Sequence, residues 1–150
     1  MSRFVSVAEV RQRVASVVEP IEGFREVPWP LTPDAAPAGY DTHPFAVIIA
    51  ETANTRSYRD SEGMGASVRS TVVVEFLASV TPAEGSELSS LDVATEAESS
   101  VIRALSVHHG ATWSHGLTIA YVTSARSISE DGGFLVVSVT FAIEHALRLA

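Results

Sequence analysis

The chain is most strongly patterned between Val68 and Val80, where apolar and polar positions alternate with period two. The even positions read Val68, Ser70, Val72, Val74, Phe76, Ala78 and Val80; the odd ones read Arg69, Thr71, Val73, Glu75, Leu77 and Ser79. Successive strand residues point to opposite faces, so the even set wants a core and the odd set can meet water or a neighbour. At about 3.3 Å per residue such a strand runs roughly 40 Å, longer than one small domain needs. Upstream, Phe45 to Ala50 ("FAVIIA") is apolar throughout, as a strand buried on both sides would be. Downstream, Leu117 to Ala125 and Phe134 to Ile143 form a hairpin around "ISEDGG". In the last strand Leu135, Val137, Val139, Phe141 and Ile143 share one face, and Ser138 and Thr140 the other.

Two segments carry helical spacing instead. Ser6-Val7-Ala8-Glu9 fits a capping box, and Val7, Val10, Val14 and Val17 follow at intervals of three and four, with Pro20 and Gly23 as the stop. The second helix opens at Ser89-x-x-Asp92, buries Ala94, Ala97, Val101, Ala104 and Leu105, and closes at His108, His109 and Gly110. Between Glu19 and Pro44 lie six prolines, which fix φ and remove backbone donors, so an ordered arm or loop is expected there. The polar stretch "ETANTRSYRDSEGMGAS", Glu51 to Ser67, is expected to be a loop, with Gly63, Gly65, Gly132 and Gly133 marking turns. The element order predicts an α+β fold: a two-layer, mainly antiparallel four-stranded sheet with two helices packed on one face, plus the proline-rich arm.

Composition narrows this picture. A length of 150 residues with 46% apolar residues suits one domain with a sizeable core, residues 1–150. Cysteine is absent, which excludes disulfides, thiolate zinc sites and cysteine nucleophiles. No run reaches the length of a membrane span, and the N-terminus carries charge where a signal peptide is apolar, so no membrane association and an intracellular origin are expected. The ten basic residues are all arginine; against eighteen acids they leave a net charge of -8, which disfavours non-specific attachment to nucleic acid.

Candidate chemistry is sparse. His108, His109 and His115 could suggest a metal site with Glu96 or Glu98 as an extra ligand. Adjacent helical histidines point about 100° apart, and a histidine at a helix C-terminus is accounted for by the helix dipole. From Arg69 to Arg103 no basic residue intervenes, while Glu75, Glu84, Glu87, Asp92, Glu96 and Glu98 supply six acids; for Asp92 and Glu96, one helical turn apart, a solvated face near a helix N-terminus is simpler than a catalytic pair. No phosphate loop and no G-x-S-x-G elbow is present, and no pattern asks for a cofactor. Trp29 and Trp113 read as core or interface anchors.

In its whole order the chain resembles the tail terminator (tail completion) proteins of long-tailed bacteriophages. The likeness is carried by the N-terminal amphipathic helix, the crossing "EVPWPLTPDAAPAGYDTHPFAVIIAE", the strand "VRSTVVVEFLASV", the helix "LDVATEAESSVIRAL" and the closing "ARSISEDGGFLVVSVTFAIEHAL". The resemblance implies a non-enzymatic virion protein at the tail-neck junction, assembled in the host cytoplasm as a homohexameric ring. Such a ring caps the tail tube, stops its polymerisation and faces the head-completion or neck proteins. It further implies that Arg56, Tyr58, Arg59, Arg69 and Glu75 meet partners, the major tail tube protein among them. Glu84, Glu87 and Asp92 would line a lumen through which genomic DNA slides without specific binding. The alternatives are a head-completion or neck protein, or a small metal-dependent enzyme using His108, His109 and Glu98.

Overall fold

The computed structural model describes residues 4–31, 42–80, 90–110, 113, 116–129 and 133–150. The elements are α1 (Val7–Val18), β1 (Phe24–Glu26), β2 (His43–Asp60), β3 (Gly63–Ser79), α2 (Ser90–Ser106), β4 (Thr118–Ile128) and β5 (Phe134–Arg148). They form an α+β fold whose one sheet has the order β1-β2-β3-β5-β4, antiparallel throughout except that β1 runs parallel to β2. The sheet thus has five strands rather than the expected four. The fifth, β1, lies inside the proline-rich crossing: Gly23 takes a positive φ after α1, and the three residues Phe24 to Glu26 then pair with His43 to Phe45. Proline spacing hides so short a strand, and Phe24 is held there by its aromatic neighbours His43, Phe45 and Phe76.

The larger departure concerns Glu51 to Ser67, which is no loop. β2 continues through Glu51 to Asp60, turns at Ser61-Glu62, and returns as β3 from Gly63. The Asp60 carboxylate accepts the Glu62 N–H at 2.8 Å and Gly63 adopts φ +114, the chemistry of a tight turn. Gly65 lies within the strand rather than in a turn: a Cβ there would stand 2.8 Å from the Phe4 ring and 2.9 Å from the Tyr58 ring. The strand is invisible to periodicity because neither face of Glu51 to Arg59 is apolar. Its order comes from the ladder to β3, which is itself paired with β5 up to Gly65 and Arg148. β4 and β5 likewise outrun their expected ends, to Ile128 and Arg148.

Both helices cover one face of the sheet. Phe45 and Val47 of β2, Val72, Val74 and Phe76 of β3, and Val137, Val139, Phe141 and Ile143 of β5 are buried there with Val10, Val14 and Val18 of α1 and Ala97, Val101 and Leu105 of α2. The even face of β3 and the odd face of β5 meet in register, Val72 opposite Phe141 and Val74 opposite Val139. Burying such aliphatic and aromatic side chains stabilises the fold by about 1.5–3 kcal/mol each before chain entropy is subtracted. Ser6 caps α1 by accepting the Glu9 N–H at 3.1 Å. The expected cap of α2 at Ser89 lies outside the described residues.

Candidate interaction surface

The opposite face of the sheet carries Ala46, Ile48 and Glu51 from β2, Arg69, Thr71, Val73, Glu75 and Leu77 from β3, and Val136, Ser138, Thr140, Ala142 and Glu144 from β5. Among the described residues no helix covers it; Ile48, Val73, Val136 and Thr140 are half-buried there, and Ala46 and Leu77 at its lower end are buried. Arg69 and Glu144 pair across it at 3.0 Å, both more than half exposed, so the pair contributes little to stability. Glu75 bonds Ser138; its partial burial outweighs that bond and pushes its carboxyl above the ordinary range.

Of the residues predicted to meet partners, Arg56, Tyr58, Arg69 and Glu75 share this uncovered face, the first two opposite Ser67 and Gly65. Arg59 pairs with Met64 and points to the other side. The exposed arm of β2 therefore presents one arginine on each surface. Asp92 stands exposed in the first turn of α2, where the helix dipole favours it. Glu84 and Glu87 lie outside the described residues, as does His115.

The two described members of the histidine group, His108 and His109, take different partners. His108 stacks on Trp113 at 4.6 Å, while His109 is exposed and bridges to Ile119. The two carboxylates offered as further ligands are taken by arginines: Glu96 by Arg103 at 3.0 Å, Glu98 by Arg126 at 2.5 Å. No cluster able to hold a metal occurs among the described residues. Trp113 packs against the core as expected, but Trp29 is 57% exposed and anchors no core.

Sequence reasoning missed two buried polar centres. Glu98 is 5% exposed, receives Arg126 and the Ser124 hydroxyl at 3.2 Å, and so fastens the outer strand β4 to α2. Its position was readable: it falls between Ala94, Ala97 and Val101 on the apolar stripe, not on the acidic face. The second centre joins Ser70 and His145. The Val5 carbonyl can only accept, so the His145 Nδ1–H donates to it at 2.9 Å, and Nε2 must accept from the Ser70 hydroxyl at 2.8 Å. With its own proton so used, Ser70 accepts from Thr52 at 3.0 Å. The signal was present in the alternation, since Ser70 and His145 both continue buried faces.

A serine bonded to an oriented imidazole is also how a nucleophile and its base are arranged. Here Ser70 is 0% exposed and its side chain is fully engaged, so the pair acts as a brace between the base of the arm and the N-terminal segment. Burial outweighs the Val5 bond and lowers the His145 pKa below its ordinary value, favouring the neutral ring. A surface depression of about 540 Å³ along α1 is lined by Arg11, Gln12, Ser16, Glu19 and Glu26. Arg11 pairs with Glu26, and Glu19 accepts the Glu26 N–H, so no reactive group is left aimed into it.

No protein-family model matches the chain, and no curated protein does. Among solved structures it is similar to a chain of "Virion of native gene transfer agent (GTA) particle", with a TM-score of 0.49 and 15% identity over 89% of this chain and 84% of that one. A likeness of that order assigns no role to the present chain.

Proposed function

We propose that the protein is a structural virion component of the tail terminator type: a subunit of a ring, six-membered as the sequence resemblance implies, that caps a tail tube, halts its growth and forms the tail side of a head-tail joint. The observation that carries this reading is the hairpin of β2 and β3. Its strands of 18 and 17 residues are long for a domain of this size, and the far half of β2, Glu51 to Asp60, is almost wholly exposed on both surfaces while β3 beside it keeps Ala66 and Val68 buried. A monomeric enzyme has no use for ten ordered residues that bury almost nothing, whereas an assembly subunit needs a rigid projection and an uncovered face. The polar arm with Arg56, Tyr58 and Arg59 would dock a tube or neck partner, and acidic residues such as Asp92 would face passing DNA and repel it.

The test is to add the purified protein to polymerising tube subunits and measure tube lengths. Terminator activity shortens and narrows the length distribution in proportion to the protein added. Unchanged elongation, with the protein folded, overturns the proposal.

A further inference from the structure

The two outer strands of the sheet carry open stretches of backbone. β1 covers β2 only at His43 to Phe45, and His109 covers β4 only at Ile119. Among the described residues, Glu51 to Ser57 on β2 and Tyr121 to Ser127 on β4 have a ladder partner on the inner side alone. An exposed edge of this length presents unpaired N–H and C=O groups that another strand can satisfy. The geometry points to a head-to-tail seam between copies of this chain, in which Glu51–Ser57 of one copy pairs antiparallel with Tyr121–Ser127 of the next.

Three features of the two edges select a second copy over an unrelated strand. The first is polarity. β2, β3, β5 and β4 alternate in direction, so β4 is antiparallel to β2. A copy related by rotation about an axis along the strands therefore brings its β4 antiparallel to the first copy's β2, with no strand reversed.

The second is register. Within the two open stretches each strand is interrupted once: β2, after an earlier shift between Ile49 and Glu51 that precedes the stretch, shifts between Asn54 and Arg56, leaving Thr55 extra, and β4 shifts between Tyr121 and Thr123, leaving Val122 extra. A bulge flips the facing of every residue beyond it. Two interrupted strands stay in phase along their whole length only where the interruptions lie side by side. Pairing Glu51 with Ser127 does this: Glu51, Ala53 and Arg56 fall opposite Ser127, Ala125 and Thr123 on the uncovered face, and Thr52, Asn54 and Ser57 opposite Arg126, Ser124 and Tyr121 on the helical face.

The third is chemistry. None of these six pairs opposes like charges or leaves a large apolar group facing a charge; they are small or polar on both sides. Within one copy Glu51 shares its row with Ala120, whereas the seam sets it beside a residue well further along β4. Each copy is therefore stepped along its neighbour and the strands slope to the ring axis, as in any closed barrel.

This seam rests on the ring proposed above, and the experiment separates the two. The chain contains no cysteine, so Ala53→Cys and Ala125→Cys, both exposed and small, can be introduced singly and together and treated with a short bismaleimide. The double variant is expected to give covalent trimers and larger species on denaturing gels, at about tenfold the cross-linked yield of either single variant, because pairing raises the local thiol concentration. Ala53→Cys alone yielding dimers as efficiently would mean a two-fold β2–β2 contact and would overturn the seam. Absence of covalent multimers from a sample that light scattering shows to be assembled overturns the seam while the ring stands. A sample that stays monomeric at its highest soluble concentration and gives no cross-links also overturns the seam, and the tube-length assay then decides the capping role separately.

Discussion

The hairpin of β2 and β3 is two structures in one. At its lower end Phe45 faces Phe76 and Val47 faces Val74 under both helices, and these side chains are almost wholly buried. At its upper end Asn54 faces Val68 and Arg56 faces Ser67, with β2 exposed on both surfaces and only β3 beside it. The ladder runs from one end to the other, interrupted by register shifts between Ile49 and Glu51 and between Asn54 and Arg56. What differs for β2 is the source of order: burial of its own side chains below, and above it the ladder to β3, which keeps Val68 and Ala66 buried and is itself paired with β5, and a tight turn. One strand can thus belong to a fold at one end and be available to a partner at the other.

The sharpest break between the two ends comes from the core. Phe76→Ala empties a site touched by Phe24 at 5.1 Å and His43 at 5.5 Å, and should cost about 3–5 kcal/mol, a large share of the stability of a domain this size. Urea unfolding followed by circular dichroism measures it; a loss below about 1 kcal/mol would mean that this end is not the core.

A second comparison sets one ion pair against another. Arg126→Met strands the buried Glu98 carboxylate and should destabilise by about 2 kcal/mol. Arg69→Met removes an exposed pair and should change stability by less than about 0.5 kcal/mol. Equal effects would mean that the pair under α2 holds nothing.

The brace at the foot of the arm gives a smaller, pH-dependent effect. His145 has a folded pKa below its unfolded value, so the unfolded chain takes up the proton first. Its contribution is intact above about pH 6.5 and is lost as pH falls below that value toward the folded pKa. Unfolding free energy should therefore decline on acidification from pH 7, and His145→Asn should flatten that part of the curve. An unchanged slope in the variant would show that other groups set it. Smallest in stability, yet informative for the upper end, are Arg56→Ala and Arg59→Ala: each should lie within about 0.5 kcal/mol of the parent chain. Under the proposed function they weaken control of tube length, so normal capping by both would remove the arm from the docking site.

Legibility followed the same division. Both helices, the buried face of β3 and the stripe of β5 were readable because a single apolar face repeats at period 3.6 or 2 along them. Glu51 to Arg59 was not, since a strand polar on both surfaces has no period to detect; its ladder to β3 is a long-range fact. β1 was lost among prolines, and its three residues are placed by Phe24 rather than by any alternation. Ser70 sat on a predicted buried face, whereas Glu98 stood among the acids and His145 beyond the expected end of the last strand, and composition gave no hint of their partners Arg126, Thr52 and Val5, which come from distant parts of the chain.

The long register of β3 between β2 and β5 has a mechanical side. Tension applied lengthwise to these strands loads many cross-strand hydrogen bonds at once, whereas a sideways pull opens them one after another. The molecule should resist stretching along its strands and peel easily across them, an anisotropy that single-molecule pulling from the two ends of β3, compared with pulling β2 away from β3, would reveal.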